Sequence, residues 1–160
     1  MPSTDITIEI CGMSGDGTIS AGSVLNEAMS LAGFSVIAFD SYPAEIRGFG
    51  RCITKSLFGY DQLLAFGDQT NVLIYLNDSQ SQSRTPFLAK NAVVLFDNRP
   101  SAKVKEGESI AAHVGPDVNL FGVPFVNLAS EAGSLARGKN FAALGAFAAL
   151  FGLGADFFHL

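Results

Sequence analysis

ITIEICGMSGDGTISAGSVLNEAMSLAGFSVIAFD, residues 6–40, decides the fold class. It opens on ITIEICG (6–12), an apolar run with the length and β-branched content of a strand. From 18 to 33, Ile19, Val24, Leu25, Ala28 and Leu31 recur at helical spacing, and Gly33 is a stop signal at the helix C-terminus. SVIAFD (35–40) reads as a second strand. Strand, helix and strand with short connections make a βαβ unit, which implies parallel pairing of the two strands through a right-handed crossover.

Outward from that unit, apolar runs continue to alternate with helix-like stretches. RCITKSLFG (51–59) reads as a strand, and so do the nearly unbroken runs NVLIYLN (71–77) and AVVLFDN (92–98). A run like NVLIYLN suits a central strand covered on both faces. TPFLAKN (85–91) reads as a short helix with Thr85 as N-cap and Pro86 in the first turn. GVPFVNL (122–128) reads as a short extended piece. Residues 129–153 read as helix, interrupted near GSLARGKN. The polar stretch NRPSAKVKEGES (98–109) reads as a surface loop. With no repeat or linker, residues 1–160 read as a single domain. Its class is α/β: a Rossmann-like three-layer fold, with a mainly parallel sheet and helices on both faces.

The bulk composition narrows the partners. Hydrophobic residues are 48% of the chain and charged residues 16%, an apolar balance that implies burial of some surface against a partner. The net charge is −5 and the basic residues are scattered, which argues against nucleic acid. Two cysteines, Cys11 and Cys52, without a secretory start fit reduced thiols in the cytoplasm. The apolar stretch FAALGAFAALFGLGA is too short and glycine-rich for a membrane span and reads as a buried or interface helix.

GMSGDG (12–17) joins the first strand to the first helix, where open parallel sheets bind ligands. Gly12 and Gly17 match the outer glycines of a dinucleotide fingerprint, and Asp40 ends the second strand where a ribose-binding acid belongs. Against NAD(P) binding, Ser14 occupies the position where pyrophosphate needs glycine, and Asp16 adds a negative charge. A tight strand-to-helix turn is the alternative. A nucleophile elbow would need glycine at position 16, and a Walker A loop would need a Lys-Ser or Lys-Thr after Gly17. The second punctuated stretch, SYPAEIRGFGRC (41–52), carries Arg47 against Gly48. It emerges on the same edge as the first loop, so the two form a candidate anion or interface site, with an ordinary ion pair of Arg47 to Glu45 or Asp40 as the alternative.

The order of these elements resembles the gamma subunit, or gamma domain, of the 2-oxoacid:ferredoxin (acceptor) oxidoreductases. Three motifs carry the resemblance. The loop Gly12, Ser14, Gly15, Gly17 is similar to the family's G-x-G-G-x-G, with Ser14 in place of a glycine. Arg47-Gly48-Phe49 is similar to its Arg-Gly-Gly, with Phe49 departing. GKNFAALGAF (138–147) is similar to its Asn-x-x-x-Leu-Gly helix start through Asn140, Leu144 and Gly145.

The resemblance implies an enzyme that oxidatively decarboxylates a 2-oxoacid, with this chain inactive alone. Thiamine diphosphate, Mg and iron–sulfur clusters would lie in partner subunits, and coenzyme A would accept the acyl group. The implied partners are catalytic alpha and beta subunits and a ferredoxin-like subunit. Gly12, Ser14, Gly15, Gly17, Arg47 and Gly48 would face the coenzyme A side. Consistent with that division, the chain has no four-cysteine pattern, and its two histidines, His113 and His159, lack metal-ligand spacing. Gly15-Asp16-Gly17 echoes a thiamine–magnesium motif, but Asp40 and Ser41 stand where its asparagine belongs.

Overall fold

The apolar run at the start of the chain becomes β1 (Ile6–Met13), and the helical periodicity after it becomes α1 (Thr18–Leu31). They are followed by β2 (Ser35–Ser41), β3 (Arg51–Gly59), β4 (Thr70–Tyr75), β5 (Leu88–Asp97) and β6 (Asn119–Val123), then by α2 (Phe125–Glu131) and α3 (Lys139–Leu150). The computed structural model describes residues 5–42, 50–76, 83–98, 110–134, 138–154 and 156–158. Arg47, Gly48, His159 and all but Asn98 of the 98–109 loop lie outside those residues.

The six described strands form one sheet in the order β2-β3-β1-β4-β5-β6. From β1 through β4, β5 and β6 every pairing is parallel, whereas β3 is antiparallel to both β1 and β2. The α/β class with a mainly parallel sheet is therefore as expected. The expected direct pairing of the first two strands is not found. β1 and β2 run parallel, but β3 is inserted between them.

Period-two alternation divides the core into two layers. Ile8, Ile10, Val72, Ile74 and Leu95 face α1 (Ala21, Leu25, Met29), α2 (Phe125) and α3 (Ala143, Leu144, Phe147). On the opposite face Cys11, Ile53, Leu73, Tyr75 and Val94 pack with Ile110. Ile110 belongs to a 3-10 turn (Ile110–Ala112), so the described α-helices share one face and this turn lies on the other. β4 is the central strand its composition implied, with Val72, Leu73, Ile74 and Tyr75 all buried.

Local differences have local causes. Thr85–Phe87 forms only a 3-10 turn, without a side-chain cap, and LAKN joins β5. The extended piece expected at 122–128 ends at Val123, and Pro124 directly precedes α2, so FVNL is helical rather than extended. Pro124 suits the position because its fixed φ and missing N–H are tolerated at a helix start. Gly33 terminates α1 as expected. At φ 93° it donates its N–H to the Ser30 carbonyl while Phe34 N–H reaches the Met29 carbonyl, a Schellman stop.

Gly22 lets α1 approach the sheet. A Cβ there would meet Thr54 Cγ2 at 2.4 Å and Oγ1 at 2.6 Å. Thr54 cannot rotate freely, because its hydroxyl donates to Asp40 Oδ1 at 2.7 Å. Alanine normally strengthens a helix over glycine by about 1 kcal/mol, yet overpacking here costs more. Gly22→Ala is expected to destabilise by a net ~1–2 kcal/mol in urea unfolding, and adding Thr54→Ala should recover part of it. A neutral or stabilising Gly22→Ala would show that α1 can shift without cost.

Candidate functional site

The glycine loop leaves β1 at its carboxyl end and turns on Asp16 N–H donating to the Met13 carbonyl at 3.0 Å. Gly15 (φ 91°) and Gly17 (φ 76°) take left-handed backbone that other residues resist, and Gly17 is the N-cap of α1. Gly12 is needed for space rather than for its dihedral angles: a Cβ there would lie 2.6 Å from Thr18 Oγ1 and 3.1 Å from Asp16 Oδ2. Ser14 and Gly15 are exposed at the loop tip. The structure thus brings Gly12, Ser14, Gly15 and Gly17 into one turn at the sheet edge. Ser14 N–H donates to the Gly50 carbonyl at 2.9 Å, which ties this turn to the residue preceding β3.

Asp16, which the sequence presents as an obstacle to anions, is paired. Its Oδ2 accepts from Met13 N–H at 2.8 Å, and its Oδ1 lies 2.6 Å from Lys139 Nζ. Lys139 also donates to the Leu76 carbonyl, just beyond β4, at 3.0 Å. The next residue, Asn140, donates from Nδ2 to the Gly17 carbonyl at 3.1 Å. The first two residues of α3 therefore brace the loop from two sides. Lys139 was not singled out in the sequence, although it sits inside the GKNFAALGAF stretch. Its signal would have been an acid in a glycine loop that needed a cation from elsewhere. Two buried polar atoms beside the loop, Thr18 Oγ1 and Asn140 Oδ1, have no hydrogen-bond partner among the described residues.

Asp40 does not reach this loop as a ribose-binding acid would. β3 separates β2 from β1, a displacement of roughly 10 Å at ordinary strand spacing, and Asp40 instead accepts the Thr54 hydroxyl.

A second polar group, also unforeseen, lies under the opposite face. Glu9 is fully buried in β1. Arg84 clasps its carboxylate, with Nε donating to Oε2 at 2.8 Å and Nη2 lying 2.5 Å from Oε1. Thr70 Oγ1 donates to Oε1 at 2.8 Å, and Lys55 Nζ stands 3.8 Å away. Arg84 is also stacked over the Phe87 ring at 4.7 Å.

The two thiols do not form a redox pair. Cys52 stands opposite Gly12 in the β1–β3 register and Cys11 opposite Ile53, one residue out of phase, so they point to opposite faces. Burial, reinforced by Glu9, pushes the Cys11 thiol from 9.0 up to about 12, against the pull of Arg84 and Arg51. Cys52 is raised as well, by burial and then by Asp16. The thiolate, the reactive form, is thereby suppressed. For Cys11 the folded pKa exceeds the unfolded one, so its contribution to stability is complete below pH 9 and is lost as pH rises toward 12. Unfolding free energy should fall in that window by up to about 1.4 kcal/mol per pH unit from this group. The Cys11→Ala variant should show a shallower alkaline slope. Equal slopes in the two proteins would refute the assignment.

Among the described residues, no group of three or more His, Cys, Asp and Glu is arranged to hold a metal ion, and no helix is long and apolar enough to cross a membrane. Fold and site together define a Rossmann-like α/β domain whose glycine loop is braced by a second helix rather than completed by a ribose-binding acid. The chain belongs to the pyruvate ferredoxin/flavodoxin oxidoreductase family, which matches residues 7–159. It is 32% identical over 95 residues to the 2-oxoglutarate synthase subunit KorC of Archaeoglobus fulgidus, covering 59% of this chain and 50% of that one. It thus spans about half the length of that curated relative.

Among solved structures it is similar to the 2-oxoglutarate:ferredoxin oxidoreductase of Magnetococcus marinus, with bound 2-oxoglutarate, coenzyme A and succinyl-CoA. The TM-score is 0.80 at 24% identity, over 96% of this chain and 26% of that one. A keto/oxoacid ferredoxin oxidoreductase gamma subunit from Geobacter sulfurreducens gives 0.72 at 22% identity, over 96% and 82% of the two chains. The pyruvate oxidoreductase subunit PORC of Thermotoga maritima gives 0.75 at 20%, over 96% and 81%. At these identities the structural likenesses establish the fold.

Proposed function

We propose that this chain is the gamma-type component of a 2-oxoacid:acceptor oxidoreductase. Its partners would be catalytic alpha and beta subunits and a ferredoxin-like subunit, in the reducing cytoplasm that two unpaired thiols fit. The family match across residues 7–159 carries this reading. Thiamine diphosphate with Mg, and the iron–sulfur clusters, belong to the partners in this proposal, since two cysteines on opposite sheet faces fall short of the four thiolates a cluster takes. Coenzyme A approaches the loop at Gly12, Ser14, Gly15 and Gly17, whose exposed tip and helix N-terminus suit a phosphate-bearing ligand. Arg47 and Gly48, which follow β2 in sequence, would supply charge and clearance for the same ligand.

Purification of the tagged chain from its native source should bring down larger catalytic subunits. The assembly should reduce ferredoxin or a viologen dye on addition of a 2-oxoacid and coenzyme A, and the isolated chain should be inactive. A chain that purifies alone and turns over by itself would sink the proposal. In the active assembly Arg47→Ala should raise KM for coenzyme A, and unchanged kinetics would leave Arg47 a structural residue.

A further inference from the structure

The loop proposed to meet a phosphate-bearing ligand contains an acid and no base, which is an electrostatic contradiction unless something cancels the charge. Lys139 is placed to cancel it. Its ammonium lies 2.6 Å from Asp16 Oδ1, the two side chains are only 13% and 15% exposed, and the Leu76 carbonyl at 3.0 Å fixes the ammonium from behind. Asp16 cannot simply be dispensed with, because its other oxygen accepts the Met13 N–H and so shapes the turn. An aspartate that shapes the loop and a lysine that hides its charge are two halves of one device.

We propose that Lys139 is a charge-cancelling positioning residue: it neutralises Asp16 so that the Gly12–Gly17 loop admits an anionic, phosphate-bearing ligand. This rests on the functional reading above. Without the ammonium, Asp16 becomes an uncompensated negative charge at the mouth where the anion arrives. Asparagine at position 16 would retain the acceptor for Met13 N–H but carry no charge. The mechanism therefore requires that removing the acid repair the damage done by removing the base. A brace that acts only through the shape of the loop has no such requirement, because losing both partners would loosen the loop at least as much as losing one.

The test uses the assembled enzyme carrying Lys139→Met, Asp16→Asn, the double variant or Lys139→Arg, with coenzyme A varied at saturating 2-oxoacid. Lys139→Met should raise KM for coenzyme A about tenfold with kcat little changed, the effect of one unscreened like charge several ångströms away. The double variant and Lys139→Arg should both return KM to within about twofold of the wild type, which on a tenfold scale counts as rescue. A double variant as impaired as Lys139→Met would overturn charge cancellation, and so would a Lys139→Met enzyme with unchanged KM. Thermal unfolding of the isolated variants and hydrogen exchange over residues 12–17 separate this from failure of the functional reading. If the wild-type chain never joins an active assembly, it is the proposed function that fails. Exchange in the loop then still decides the device: a double variant no better protected than Lys139→Met refutes it, and greater protection supports it.

Discussion

Replacing Glu9 by alanine is expected to destabilise the protein by about 3–5 kcal/mol, the range for breaking a buried ion pair from one side. The cost arises from what is left behind rather than from the attraction lost. Arg84 would keep a guanidinium whose side chain is 16% exposed, with its Nε and Nη2 donors aimed at a vacated space. Thr70, 1% exposed, would lose the acceptor of its hydroxyl. Lys55 offers little compensation, since at 3.8 Å it is the more distant cation and its ammonium already donates to the Gly67 carbonyl. Removing both halves should be milder: Glu9→Leu with Arg84→Met replaces the pair by apolar groups and is expected to recover at least half of the loss. Urea unfolding of the three proteins decides it. A single Glu9→Ala costing less than about 1 kcal/mol would mean that water enters and solvates Arg84.

Glu9 also shows where sequence reading stops. ITIEICG announces a strand through its apolar and β-branched content, and a charge inside such a run states that a partner must exist. It does not state which one, because Arg84 is 75 positions away and arrives by a turn that no local pattern specifies. The same limit explains the misplaced strand. The stretches 6–13, 18–31, 35–41 and 51–59 each declare their own type, since periodicity and the Gly33 stop are local. Adjacency is not local. An apolar run buried on both faces suits β1 with either β2 or β3 as neighbour, and β3 takes the place by antiparallel pairing over the full length of β1.

The candidate site divides in the same way. Its glycines were legible, because left-handed turns and close approaches call for glycine. Its brace was not, because Lys139 and Asn140 meet the loop only after α3 has packed beside α1. That brace changes the meaning of Asp16. Read in isolation, the aspartate excludes anions, whereas in the fold it is a turn-shaping acceptor whose charge is met. The exposed loop tip, the N-terminus of α1 and the start of α3 thus form one unit, and its rigidity depends on contact across more than a hundred residues of chain.

That dependence gives the second large effect. Gly17→Ala is expected to destabilise by about 2–4 kcal/mol, against about 1–2 kcal/mol for Gly15→Ala. Both positions have positive φ, at 76° and 91°, so both substitutions incur the conformational penalty. Only at Gly17 does the new methyl meet another element, with Asn140 Nδ2 at 2.5 Å and Cγ at 2.9 Å, whereas nothing lies within 4 Å at Gly15. Asn140 is 3% exposed and bonded to the Gly17 carbonyl, so displacing it also forfeits about 1 kcal/mol of hydrogen bonding. Truncating Asn140 to alanine removes that clash. Gly17→Ala should therefore cost markedly less in an Asn140→Ala background, while Gly15→Ala should cost the same in both. Equal costs for the two glycine substitutions in the wild-type background would show that α3 yields without resistance. The loop would then be held by its own turn geometry, and the helix brace would have no energetic content.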